Sequence, residues 1–219
     1  HSHFNAKPLD APPAAIEEIK KSNDRWTKPN ALPHDLLTEL TTPHIASPDV
    51  HLDPKTRTIV MYFHGLEGLG HQVTRLATSK DGIHFTAFPE IFGKSYFRVF
   101  SHQDHTYAMA MPGQFYRSKD GRSDFEEGPL LFNKKMRHAA FLKKENTLHV
   151  FWTRVGDTPE SILHSTIDIS AKWHDWQDSE AQEILRPEHP WEGADAPLKP
   201  SIRSVAYGHV NQLRDPAIF

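Results

Sequence analysis

Hydrophobic positions along the chain fall into two textures. Through residues 1–43, Pro8, Pro12, Pro13, Pro29 and Pro33 interrupt the sequence and few apolar positions alternate. Residues 14–21 (AAIEEIKK) and 35–40 predict two short helices, the first with Pro12 and Pro13 near its opening turn. This segment reads as a connection that packs over a domain and adds little core. From residue 42 onward, short β-branched and aromatic runs alternate with turn signals, which predicts an all-β domain over 44–219. Strands are expected at 59–63 (IVMYF), 72–79 (QVTRLATS), 83–85, 106–111 (TYAMAM), 114–118 (QFYRS), 148–154 (LHVFWTR) and 161–167 (SILHSTI). Residue 125 and residues 173–176 stand in fourth-strand places. The turn Ser79-Lys80-Asp81-Gly82 recurs 39 residues later as Ser118-Lys119-Asp120-Gly121, and Asp168-Ile169-Ser170 takes its place in a third copy. The Asp-Gly pairs suit positive φ. Residues 65–70 (GLEGLG) lie between two strands, so they predict a hairpin loop and not a phosphate cradle opening a helix.

A period of roughly 40–50 residues with four short strands per unit is the pattern of propeller blades. A blade cannot bury both faces alone, so blades stack. A β-sandwich of similar strand count is the alternative. Each repeat also opens alike: Ser47-Pro48-Asp49-Val50, then Tyr96-Phe97-Arg98-Val99-Phe100, then residues 136–141 (MRHAAF), then residues 213–219 (LRDPAIF). In a propeller the first strand of every blade lines the central channel, so ionisable residues in these openings would converge. The sequence stops at the fourth opening, and unpaired strand edges are a liability. The expectation is an incomplete β-propeller: about three blades and the first strand of another, with neighbouring blades lacking on both sides.

Composition narrows the chemistry. The 219 residues carry a formal net charge of −3 with scattered basic residues, which gives no case for nucleic acid as a partner. No apolar stretch approaches the roughly 20 residues of a membrane span. With no cysteine, disulfides, thiolate metal sites and a cysteine nucleophile are excluded. Neither H-E-x-x-H nor G-x-S-x-G occurs. No dense acidic loop is present to hold a channel calcium, so no metal or cofactor is expected.

The openings, the TSKDGIHF turn at 78–85 and RDPAIF at 214–219 resemble the five-bladed propeller glycoside hydrolases around families 32, 43 and 62. Residues 44–50 (HIASPDV), 111–118 (MPGQFYRS), 151–157 (FWTRVGD), 191–197 (WEGADAP) and 212–219 (QLRDPAIF) are similar to an uncharacterised bacterial branch of that group. The resemblance implies a sugar ligand and a pair of carboxyl groups flanking the scissile bond. It points to Asp49 and Asp215 as opening-strand carboxylates. It also points to Glu192, whose Trp191-Glu192-Gly193 context resembles the Glu-Gly-Pro setting of the family acid. Arg98, Arg137 and Arg214 read as equivalent positions in three repeats. They require carboxylate counterions or an anionic ligand, the latter admitting an acidic sugar or a phosphorylase. His44, His64 and His138 are candidate hydroxyl binders, and Trp191 is a candidate sugar-stacking ring. A non-catalytic carbohydrate-binding propeller is the competing reading.

Overall fold

Period-2 alternation gives each run one face to bury, and the runs pair as antiparallel strands. The structure, a computed structural model, describes residues 2–21, 36–203, 206 and 208–218. It divides into two units: His1–Glu18 with Leu37–Gly128, and Ile19–Leu36 with Pro129–Phe219. Helix α1 (Pro13–Lys21) and helix α2 (Leu36–Thr41) match the expected helices. Asp35, Pro29 and Pro33 lie outside the described residues.

In the first unit, β1 (Ile45–Asp53), β2 (Thr58–Gly68), β3 (His71–Ser79) and β4 (Phe85–Ala87) pair in sequence order, and β5 (Gly93–Lys94) adds to β3. A second sheet runs β6 (Arg98–His102), β7 (His105–Ala110), β8 (Gln114–Ser118) and β9 (Glu126–Leu130). The core of this unit is aromatic: Tyr62, Phe92, Phe97 and Tyr116 pack with Val60, Leu76 and Ala108. In the second unit, β10 (Met136–Lys144), β11 (Thr147–Arg154), β12 (Ile162–Asp168) and β13 (Gln182–Leu185) repeat the up-and-down order. Leu148, Val150, Trp152, Ile167 and Trp173 are buried there.

Several expected elements shift. The strand after the first SKDG turn starts at Phe85, not at residue 83, because Ile83 and His84 donate their backbone N–H groups to Asp81 instead of to a ladder. Gly65 is not in a loop: it pairs with Ile45 on one side and Val73 on the other, and β2 runs on to Gly68. Residues 173–175 form a 3₁₀ turn, and the fourth strand of that sheet is Gln182–Leu185. Residues 213–218 form no strand. Gln212 makes an isolated parallel bridge to Glu160 instead.

The two SKDG turns are the same object. Ser79 Oγ accepts the Gly82 N–H at 2.9 Å, and Ser118 Oγ accepts the Gly121 N–H at 3.1 Å. Asp81 and Asp120 each take two further backbone N–H groups, a side-chain substitute for ladder bonds. Gly82 and Gly121 stand at φ 78° and 68°. The third copy keeps only the carboxylate half, Asp168 accepting from the Ser170 N–H and hydroxyl.

The openings share a second device. β1 and β10 each carry one extra residue against their partner, between Ala46 and Asp49 and between Arg137 and Ala139. The left-handed residue of each bulge is Ser47 (φ 50°) or His138 (φ 43°). Tyr96, just ahead of β6, has φ 71°, and Asp215 has φ 51°. All four openings thus place one non-glycine residue in the left-handed region, a conformation that non-glycine residues occupy sparingly.

Gly121 tests the turn chemistry. A Cβ there would sit 2.9 Å from the Tyr62 hydroxyl, which donates to the Gly121 carbonyl at 2.5 Å. Gly121→Ala is expected to destabilise by about 1–3 kcal/mol in urea titration. Gly68→Ala, where a Cβ meets only ordinary contact at 3.7 Å, is expected to stay within about 0.5 kcal/mol. Equal effects at the two sites would refute the assignment.

Candidate functional site

In the second unit the openings assemble around a residue that no sequence motif marks, Glu160. Its side chain is fully buried, at 0% exposure. Arg137 clamps it with two bonds, Nε to Oε1 at 2.8 Å and Nη2 to Oε2, and Arg214 Nε lies 3.3 Å from Oε2. The main chain joins in, since the Glu160 carbonyl accepts the Leu213 N–H at 2.8 Å. Burial alone would raise the Glu160 carboxyl, but the hydrogen bonds and charge of Arg137, with Arg214 and Ser201, hold it below the usual range. It is therefore ionised. Beside it, His138 Nδ1 lies 3.7 Å from Asp215 Oδ2, within ion-pair range and beyond hydrogen-bond range. Burial dominates this imidazole and pushes it down to about 4, against the pull of Asp215 and Glu160. His138 is neutral at pH 7. Arg137, His138, Arg214 and Asp215 are thus brought together. The signal for Glu160 was indirect: arginines at two openings demanded a counterion, and a glutamate starts the run leading into β12.

In the first unit His44, His64 and Arg98 are also brought together, through Tyr96. The His44 and His64 rings meet edge to face at 6.3 Å, His64 lies 6.0 Å from the Tyr96 ring, and Arg98 sits over that ring at 4.2 Å. Arg98 donates to the Ser47 and Phe97 carbonyls. Asp49 goes elsewhere. Its Oδ2 accepts the Val99 N–H at 2.7 Å and the His51 Nε2 at 2.8 Å, which ties β1 to β6.

The left-handed residue supplies a common register, and it corrects the expected equivalence of the arginines. Arg137 and Arg214 stand one residue before it, whereas Arg98 stands two after, level with Asp49. The two carboxylates are not equivalent either, because Asp215 is itself the left-handed residue.

Glu192 and Trp191 occupy a short 3₁₀ turn, Pro190–Glu192. Glu192 Oε2 accepts the backbone N–H groups of Glu188 at 2.8 Å and His189 at 3.0 Å, and these bonds hold its carboxyl below the usual range. A general acid needs the opposite shift. Trp191 is 80% exposed and stacks on His189. Among the described residues, no group of three or more His, Cys, Asp or Glu side chains gathers as a metal site. Among the described residues, no helix is long and apolar enough to cross a membrane.

Comparison with known proteins agrees with this architecture. No family model matches the chain. It is 34% identical over 198 residues to an uncharacterised protein of Acanthamoeba polyphaga mimivirus, covering 82% of this chain and 56% of that one. The chain therefore spans just over half the length of that relative. Among solved structures, it is similar to an exo-β-1,3-galactanase from Phanerochaete chrysosporium bound to galactose. The TM-score is 0.52 at 15% identity, over 66% of this chain and 36% of that one. An exo-β-1,3-galactanase from Clostridium thermocellum matches with a TM-score of 0.50 at 16% identity, over 70% and 38%. These are family 43 glycoside hydrolases with a β-propeller fold, and the likeness is one of fold.

Two measurements probe the Glu160 cluster. Glu160→Gln leaves two guanidinium groups facing each other without their buried counterion, and is expected to cost on the order of 3–5 kcal/mol in urea titration. Separately, His138 has a folded pKa of about 4 against 6.5 when unfolded, so the unfolded chain takes up the proton first as pH falls. Its contribution is complete above pH 6.5 and is lost progressively towards pH 4, on the order of 3 kcal/mol in all. The slope in that window is expected to flatten in His138→Gln. An unchanged slope would mean that another group carries it.

Proposed function

We propose that this chain is carbohydrate-active and that its reaction is glycoside hydrolysis, with the openings of the second unit as the working site. The observation that carries the reading is the His138–Asp215 pair, two left-handed residues held together over a buried, ionised Glu160. Of the three carboxylates expected from the sequence, Asp49 and Glu192 are bonded to backbone N–H groups. Asp215 stands against an imidazole, with its side chain 61% exposed. In the proposal Asp215 is the reacting carboxylate, as base or nucleophile. Arg137 and Arg214 act as positioning residues through Glu160, and neutral His138 accepts a sugar hydroxyl or orients Asp215. In the first unit, His44, His64 and Arg98 are proposed hydroxyl-binding groups, and Asp49 is a strand-to-strand tie near them.

Charge favours a neutral sugar. Two guanidinium groups face two carboxylates beside a neutral imidazole, so the cluster carries no surplus positive charge to attract an acidic sugar. The Arg137 side chain is only 3% exposed, which also counts against phosphate as the attacking group. One observation favours a second reading, a non-catalytic sugar-binding protein: Glu192, the expected proton donor, is shifted the wrong way.

The test is turnover of the full chain on a panel of aryl glycosides and of β-1,3-galacto- and arabino-oligosaccharides. Hydrolysis of at least one neutral substrate is expected, falling by 100-fold or more in Asp215→Asn with no change in melting temperature. Binding without turnover across the panel would establish the second reading in its place.

A further inference from the structure

Trp191 has no packing reason to be where it is. Burying an indole removes a large apolar area from water, yet this one is 80% exposed. Its loop is not slack. Glu192 bonds back to two N–H groups, the Ala194 N–H reaches the His189 carbonyl at 3.1 Å, and the Ala196 N–H reaches the Gly193 carbonyl at 3.1 Å. Asn211 Nδ2 holds the Ala194 and Ala196 carbonyls at 3.2 and 3.3 Å. Gly193, at φ 87°, lets the loop lie so close that a Cβ would stand 2.2 Å from the Val210 carbonyl oxygen. A large apolar ring is thus displayed on a braced support.

One face of that ring is taken. The His189 imidazole lies parallel beneath it, centroids 4.3 Å apart and planes 18° off. This fixes the indole plane and leaves the opposite face to solvent. The loop itself is polar: Asp195 Oδ1 forms an exposed pair with His209 Nε2 at 3.2 Å, and Glu192 follows Trp191 in the chain. A protein partner would need a contiguous apolar patch of several hundred Å². Over the described residues 182–203, the other large exposed apolar side chains are Ile184 and Leu185 of β13 and Leu198. A flat exposed apolar face on a loop that also carries hydrogen-bonding groups matches a sugar ring, whose C–H face is apolar and whose rim is hydroxyl. Because the loop and ring are already fixed, binding orders little.

We infer that Trp191, backed by His189 on a loop that also carries the exposed Asp195–His209 pair, is a stacking platform for the ring of a neutral glycan. The inference deepens the carbohydrate reading and rests on it for the ligand class, but it concerns binding and not bond cleavage.

The full chain is run in native gels containing each of several neutral soluble polysaccharides, galactan, arabinan and xylan among them, and turnover is assayed in parallel. Retardation by at least one polysaccharide is expected. Trp191→Ala should weaken it roughly tenfold or more, Trp191→Phe by a few-fold, and His189→Ala by an intermediate amount. Since Trp191 is exposed, the Ala variant should melt with the wild type, so lost binding is not lost fold. Wild type unretarded by every glycan, or Trp191→Ala retarded like wild type, overturns the platform whatever the turnover arm shows. Retardation that depends on Trp191 with no turnover upholds the platform and overturns hydrolysis instead.

Discussion

A strand whose side chains alternate strictly changes the face it presents where it takes in an extra residue, and in the bulges of β1 and β10 one residue turns its backbone left-handed. A left-handed residue recurs at all four openings, within a bulge at two of them. Ser47, Tyr96, His138 and Asp215 each sit there with φ between 43° and 71°. Glycine would occupy such a position at no steric cost, whereas an ordinary side chain costs roughly 1–2 kcal/mol. None of the four is glycine. The chain tolerates the cost where it keeps a side chain at the kink, and in the second unit two of those side chains meet, His138 against Asp215. Strain maintained at a recurring place, with chemistry-bearing groups on it, is the physical ground for the proposed site.

Glu160 then decides what the kinks present. A buried carboxylate between two guanidinium groups is weak evidence for stability, because desolvation of the charges consumes most of their attraction. Its value here is positional. Through its side chain Glu160 holds Arg137 of β10 and Arg214, and through its carbonyl it holds Leu213. A segment that forms no strand is thereby placed beside a strand opening, and Asp215 follows. The same neutralisation leaves Arg137 and Arg214 no surplus charge with which to grip an anion.

What could be read from the residues follows from range. Alternation and turn chemistry are local, so the strands, both helices and the repeated Ser-Lys-Asp-Gly turns were visible in the sequence. The opening positions were visible as a repeat as well, and His44, His64 and Arg98 do gather, as do Arg137, His138, Arg214 and Asp215. The register within each opening was not visible. Whether Arg98 matches Arg137 depends on which residue turns left-handed, and Tyr96 and His138 carry no sequence mark of that. Glu160 was hidden for a related reason: its partners are 23 residues before and 54 residues after it. Residues 173–176 misled because tryptophan spacing imitates a strand where the backbone makes a 3₁₀ turn.

The likeness to family 43 glycoside hydrolases is one of fold, and the charges found on this chain limit the chemistry it can do. Hydrolysis by two carboxyls requires one to be a proton donor near neutral pH, hence buried away from cations or beside another carboxylate. Glu160 is buried but gripped by Arg137. Glu192 is in the open and gripped by backbone N–H groups. Each is pushed towards the ionised form, so neither serves as donor in the geometry described. Asp215, the most exposed of the cluster, suits the complementary role of accepting a proton or attacking carbon. In the proposed hydrolysis the acid is therefore a group other than Glu160 and Glu192. The braced indole at Trp191 is indifferent to that question, because stacking a sugar ring needs a flat apolar face and no proton at all.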